Sequence, residues 1–216
     1  MNRRLGLLVV ALSLALSAST VHARDGRLGL LVGGTLPSGD FSADITTPRG
    51  MGAGPGFTAG AFFDYMVNEN VAVGVDAAFG SNSLKSEARD SLRSLSGDPA
   101  ADVKYSSIGG NAHVKFFLPV QGGSFRPYVV GGAGVANFKG KLEGATPGDT
   151  SVTKFGGYGG LGANFKAGEK ASAGLEVAYH ILPVGDLFGI GQDVTATWVA
   201  IKAMVTFSLG SGGTAR

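Results

Sequence analysis

Val71-Ala72-Val73-Gly74-Val75-Asp76-Ala77-Ala78-Phe79-Gly80 is the stretch that decides the fold. Val71, Val73, Val75, Ala77 and Phe79 fall on every second position, and Ala72, Gly74, Asp76 and Gly80 lie between them. Side chains that recur with period two share one face of an extended chain, so the stretch reads as a strand with one apolar and one small or polar face.

The same period extends in both directions along the chain. Eight segments carry it, at 27–35, 57–66, 71–80, 105–118, 126–138, 154–166, 171–182 and 195–209. In the second, Phe57, Ala59, Ala61, Phe63 and Tyr65 oppose Thr58, Gly60 and Asp64, with Phe62 as the apolar exception. The seventh sets Ala173, Leu175, Val177, Tyr179 and Ile181 against Gly174, Glu176 and His180. The eighth sets Val199, Ile201, Ala203, Val205 and Phe207 against Ala200, Lys202 and Thr206. Both faces of the fifth are apolar or glycine, so its inward side stays open. Seventeen of the 37 glycines lie inside these alternating segments and not in polar tracts, which assigns them to strands and not to disorder.

Connection length alternates as well. The links at 67–70, 119–125 and 167–170 are short, whereas those at 36–56, 81–104, 139–153 and 183–193 are long and polar. Short turns on one rim and long loops on the other, with an even number of antiparallel strands, is the construction of an outer-membrane barrel. The strands also have the length that a tilted strand needs to cross hydrocarbon. A soluble barrel around an apolar ligand would show the same alternation with its faces reversed. Charge density separates the two: a water-facing sheet carries many Lys and Glu residues, yet the polar faces here hold Gly, Ala, Ser and Asn with isolated Asp64, Asp76, Lys115, Glu176 and Lys202. Such faces suit a narrow interior filled by side chains. Phe57, Tyr65, Phe79, Phe116, Phe155, Phe165, Tyr179 and Phe207 stand near strand ends, as interfacial girdles require.

Residues 1–23 have the layout of a secretory signal peptide: basic Arg3 and Arg4, an apolar run at 5–16, and small residues around the cleavage point in Val21-His22-Ala23. The expected organisation is a leader at 1–23, a barrel at 24–209 and a short tail at 210–216. The 18 basic residues less Arg3 and Arg4 equal the 16 acidic ones, so the exported part is formally neutral and a nucleic-acid role is excluded. The absence of cysteine removes disulfide staples, thiol chemistry and lipidation of an N-terminal cysteine.

Three segments carry a family likeness: Gly33-Gly34-Thr35-Leu36-Pro37-Ser38-Gly39-Asp40-Phe41, Arg126-Pro127-Tyr128-Val129-Val130-Gly131-Gly132-Ala133-Gly134, and the final strand from Ala200 to Phe207. In these the chain resembles the small OmpA/OmpX-type outer-membrane barrels of Gram-negative bacteria, over nearly all of its exported length. The resemblance implies an all-β, eight-stranded antiparallel transmembrane barrel with short periplasmic turns and long extracellular loops. It also implies outer-membrane lipid and lipopolysaccharide, periplasmic chaperones and the barrel assembly machinery as partners. Family members usually end on an aromatic residue, whereas Phe207 is followed by nine more residues, 208–216.

Functional candidates lie in the lumen and on one loop. Asp76, His113, Glu176 and Lys202 point to the polar face by parity and stand five residues from the short-turn rim on their strands. They are expected to meet as an internal layer, Glu176 with Lys202, that occludes conduction, because a charge in a narrow barrel needs a partner. In the second long loop Leu84, Ala88, Leu92 and Leu95 recur at helical spacing, with Lys85, Arg89 and Arg93 as a basic stripe. That stripe is a candidate contact for lipopolysaccharide phosphate or another external surface ligand, or else simply a solvated helix face. A lipid A-modifying enzyme would need a base at the outer rim, for which His180 is the candidate, with Asp186 and Asp193 following it and no spaced nucleophile. Gly156-Gly157-Tyr158-Gly159-Gly160 lacks both the spacing and the following helix of a nucleotide loop. No catalytic set, cofactor or metal is called for. The expectation is a monomeric barrel of structural or surface-interaction function (adhesion, envelope integrity), with a soluble exported barrel and an enzyme as the alternatives.

Overall fold

The computed structural model describes residues 26–47, 49–120, 124–144, 148–186 and 193–209. The proposed leader at 1–23 and the tail at 210–216 lie outside the described residues. Eight strands, β1 (Gly26–Ser38), β2 (Ala53–Met66), β3 (Val71–Leu84), β4 (Asp102–Phe117), β5 (Phe125–Glu143), β6 (Gly148–Lys166), β7 (Ala171–Gly185) and β8 (Val194–Ser208), pair in chain order. All the pairings are antiparallel, and β1 pairs with β8 to close the barrel. Closure removes the free edges that β1 and β8 would otherwise present, the condition for placing strands in a bilayer, although the upper part of β6, before Gly157, is not laddered to β7. Two short helices, α1 (Gly39–Ser42) and α2 (Ser86–Ser96), sit on the long-loop rim.

The period-two pattern sorts the side chains. Leu30, Val32, Val75, Phe155, Leu161, Val177, Ala203 and Val205 face outward and are exposed. A continuous apolar belt of this kind on a closed sheet is a lipid-facing surface. Aromatic pairs mark both of its borders, Phe57 with Phe79 near the long-loop rim and Phe125 with Phe165 near the short-turn rim. Phe62 departs from the outward apolar set because it fills the lumen, where it is buried. On β5 the structure turns Tyr128, Val130 and Phe138 inward and leaves Val129 and Val135 exposed.

The long-loop side differs from the sequence reading in three ways. Strands continue past the apolar belt as polar ribbons, so 139–143 and 148–153, read as loop, belong to the β5–β6 hairpin. Their alternation is masked in sequence because both faces of a ribbon beyond the membrane are polar. The predicted helix is present but shorter, and its buried residue Ala88 packs with Leu84 and, on its flank, Leu92. The first long loop is not simply exposed: Phe41 is 1% exposed, and Met51 and Ala53 are buried beside it. Phe41 enters the barrel mouth, its ring edge-on to Tyr105, Phe138 and Trp198 at 5.4, 5.6 and 6.3 Å. The Tyr105 hydroxyl donates to the Met51 carbonyl at 2.6 Å, which ties the loop to the wall.

Candidate functional site: a polar layer across the lumen

A side chain that crosses a narrow barrel needs an empty position opposite, and here glycine supplies it. Tyr128 is the register partner of Gly162, Tyr158 of Gly132, and His113 lies between Gly74 and Gly132 on its two neighbouring strands. A Cβ on Gly162 would stand 2.3 Å from Tyr128 Cζ, one on Gly132 2.5 Å from Tyr158 Cε1, and one on Gly74 2.6 Å from His113 Nε2. These glycines are the space that the polar layer occupies.

The layer has two lobes. In the first, Lys202 Nζ donates to Glu176 Oε1 at 2.9 Å across directly paired positions of β7 and β8. Tyr128, reaching from β5, donates its hydroxyl to Glu176 Oε2 at 3.0 Å. In the second, the His113 ring faces two carboxylates, Asp64 Oδ1 at 2.6 Å from Nε2 and Asp76 Oδ2 at 3.2 Å from Nδ1. Lys115 Nζ donates to Asp64 Oδ2 at 2.7 Å, and Asn111 Nδ2 and the Tyr158 hydroxyl donate to Asp76 at 2.7 and 3.0 Å. The lobes share their tyrosines. Tyr128 bonds Glu176 in the first lobe while its ring lies 5.6 Å from Lys115 Nζ of the second. Tyr158 bonds Asp76 in the second while its ring lies 5.1 Å from Lys202 Nζ of the first.

Asp64, Asp76 and Glu176 meet Lys115, Lys202 and His113, and three charges of each sign stand in the layer when the His113 ring is doubly protonated, the form in which both its nitrogens donate. Asp64, His113, Lys115, Glu176 and Lys202 are all buried, so each would be costly alone and is held by a partner. Of the residues expected from sequence, Glu176 and Lys202 are joined directly, as are Asp76 and His113, but in separate lobes and not as one ring of four. Asp64, Lys115, Tyr128 and Tyr158 were missed as members. The inward parity of Asp64 and Lys115 is legible in sequence and that of Tyr128, on the fifth segment, is not; Asp64 on β2 moreover reaches His113 and Lys115 on β4 across β3, a contact that sequence spacing does not encode.

The loop stripe folds back on its own chain. Lys85 Nζ donates to the Ser42 carbonyl at 2.6 Å, Arg89 Nε to Asp102 Oδ1 at 3.1 Å, and Arg93 Nε to the Ala101 carbonyl at 3.3 Å. These contacts pin α1 and the start of β4 to the second loop, with Asp102 as the acidic partner of Arg89. Nearby in that mouth the exposed Asp44 carboxylate accepts the backbone N–H and the hydroxyl of Thr46, which hold it below the usual carboxylate range. His180 stacks between Tyr158 at 4.9 Å and Trp198 at 5.1 Å, and its Nε2 has no hydrogen-bond partner. That nitrogen therefore has neither the acid nor the hydroxyl of a catalytic pair. Among the described residues no group of His, Asp and Glu is placed to hold a metal ion.

Residues 8–207 match the family described as outer membrane protein beta-barrel domain. No curated protein matches the sequence. Among solved structures, Neisserial surface protein A aligns at TM-score 0.52 and 14% identity, covering 84% of this chain and 96% of that one. A major outer membrane protein of Thermus thermophilus aligns at TM-score 0.51 and 9% identity, covering 86% of this chain and 100% of that one. The outer membrane enzyme PagL aligns at TM-score 0.37 and 16% identity, covering 82% of this chain and 97% of that one. At these identities the likenesses concern the fold.

Proposed function

The chain belongs to the outer membrane protein beta-barrel family, and from that premise we propose that it is a closed-lumen barrel whose role is structural or surface-interacting, not conductive. The observation that carries this reading is the double closure of the interior. The ion-paired layer fills the lumen, and above it Phe41, Tyr105, Phe138 and Trp198 pack the mouth. What the barrel offers its surroundings is then its rim. That rim is stiffened by the contacts of Lys85, Arg89 and Tyr105, in keeping with a rigid scaffold presenting loops. Residues 1–23 act as a cleaved leader, and assembly proceeds through periplasmic chaperones and the barrel assembly machinery into a layer containing lipopolysaccharide.

Cell fractionation with a boiling-dependent gel tests the reading. The expected result is recovery in the outer-membrane fraction, an N-terminus at Arg24, and a mobility that changes only on boiling. Recovery from the soluble periplasm, with mobility indifferent to boiling, would instead favour a soluble exported barrel.

A further inference from the structure

On the short-turn side of the ion-paired layer the barrel end holds a vestibule of about 220 Å³. Its wall is an arc of five neighbouring strands, from β5 through β6, β7 and β8 to β1, whose inward positions pair in register. Arg126 stands opposite Asn164, Lys166 opposite Ser172, Ser172 opposite Thr206, and Ser208 opposite Arg27. An arginine therefore ends the arc on each side, with amide and hydroxyl groups between them and Lys166 and Lys170 at the rim. Backbone bonds stitch that rim: the Lys166 N–H donates to the Ser124 carbonyl at 2.9 Å and the Ser208 N–H to the Lys170 carbonyl at 2.8 Å. The other side of the barrel end, from β2 to β4, is apolar and packed, with Met66, Ala72 and Phe117 buried in one cluster.

Charge in the vestibule is unmatched. Arg27, Arg126, Lys166 and Lys170 line it, against Glu169 on its rim and Glu69 in the β2–β3 turn. None of these six is in an ion pair with a described residue. The acids further in are already taken. Asp64, the register partner of Arg27, is held by His113 and Lys115, and Glu176 by Lys202 and Tyr128. Arg126 is set in place by the Phe117 ring, whose centroid lies 4.5 Å from the guanidinium carbon, and by donation to the Glu69 backbone carbonyl. Two half-buried arginines thus share a polar hollow with no carboxylate bonded to either, a setting that favours an anion from solution.

We infer that the vestibule binds the phosphate group of a small soluble monoester, which enters from the periplasm; this rests on the placement of the short turns on that side. The excess of two positive charges matches a phosphate monoester, which carries close to two negative charges at neutral pH. Its tetrahedral oxygens accept from β1, β5 and the β6–β7 turn at once, whereas a carboxylate offers two oxygens and one charge. The strands of the arc wall the hollow off from the lipid, which favours a soluble ester over a lipid headgroup.

The test is calorimetric titration of glycerol phosphate into the barrel folded in uncharged maltoside micelles, at fixed salt. Saturable one-to-one binding is expected, with acetate at least about tenfold weaker. Arg27→Gln and Lys166→Gln should each raise the dissociation constant about tenfold or more, the value of a charge-assisted hydrogen bond. Lys139→Gln, on the long-loop side, should leave it unchanged. Boiling-dependent mobility shows that each variant is folded, so folded parent protein that binds no phosphate refutes the site and leaves the barrel reading standing. Unchanged binding in folded Arg27→Gln would also overturn the inference, as would equal weakening by Lys139→Gln, which signifies diffuse attraction to a charged surface. Repeating the titration in nanodiscs of anionic phospholipid separates the two sources of phosphate. Binding that persists there supports the soluble ester, and binding abolished there assigns the site to a lipid headgroup and overturns it.

Discussion

Replacing Lys202 with methionine isolates what the polar layer contributes. The change removes the cation 2.9 Å from Glu176 and leaves a carboxylate, itself 4% exposed, with the Tyr128 hydroxyl as its remaining donor. Removing one partner of a buried pair costs about 3–5 kcal/mol, because the survivor keeps its desolvation cost and loses its compensation. Glu176→Leu alone strands Lys202 in the same way and should cost a similar amount. Changing both to apolar residues leaves no unpaired ion and only the Tyr128 hydroxyl to satisfy, a loss of about 1–3 kcal/mol. The double variant should therefore be more stable than Lys202→Met alone, with a coupling of about 3 kcal/mol or more between the two sites. Urea unfolding in lipid vesicles measures this, followed by Trp198 emission and by boiling-dependent gel mobility. Losses that add to within about 0.5 kcal/mol would show that the two side chains do not interact and would refute the reasoning.

Gly162→Ala should destabilise the barrel by about 1–3 kcal/mol through overpacking against Tyr128, whereas Gly131→Ala, whose added Cβ meets nothing within 4 Å, should lie within about 0.5 kcal/mol of the parent in the same unfolding assay. Val205→Arg on the lipid face should cost about 2–4 kcal/mol if it lies near the midplane, and a smaller loss would move that position toward an interface. Phe41→Ala should cost about 3–5 kcal/mol and raise the proteolytic sensitivity of the segment around α1, because a fully buried ring is removed from the mouth.

The strands were legible because period two survives wherever one face meets lipid and the other a crowded lumen. The outward set of Val75, Val177, Ala203 and Val205 follows from that alternation together with the scarcity of charge on the opposite face. The Glu176–Lys202 pair was legible because each stands five residues from the short-turn rim, Glu176 counted from Ala171 and Lys202 from Phe207, so register follows from counting. Phe41 was not, since an isolated apolar residue among Gly, Ser and Asp carries no period and its burial is set by residues far away in sequence. Of the basic stripe, Arg89 and Arg93 lie on α2 and Lys85 immediately before it, and which way the stripe faces depends on Asp102 and Ser42, each supplied by another segment. Tyr158 lay inside a glycine run that invited comparison with a nucleotide loop, and those glycines instead make room within a strand.

The central claim, that the ion-paired layer and the Phe41 cluster close the lumen, is tested most directly by current recording after reconstitution into planar lipid bilayers. The account predicts no stepwise conductance from the folded parent protein at moderate voltage. Regular current steps from correctly folded, boiling-sensitive protein would contradict it, since they require a continuous water path through the layer of Asp64, His113, Glu176 and Lys202.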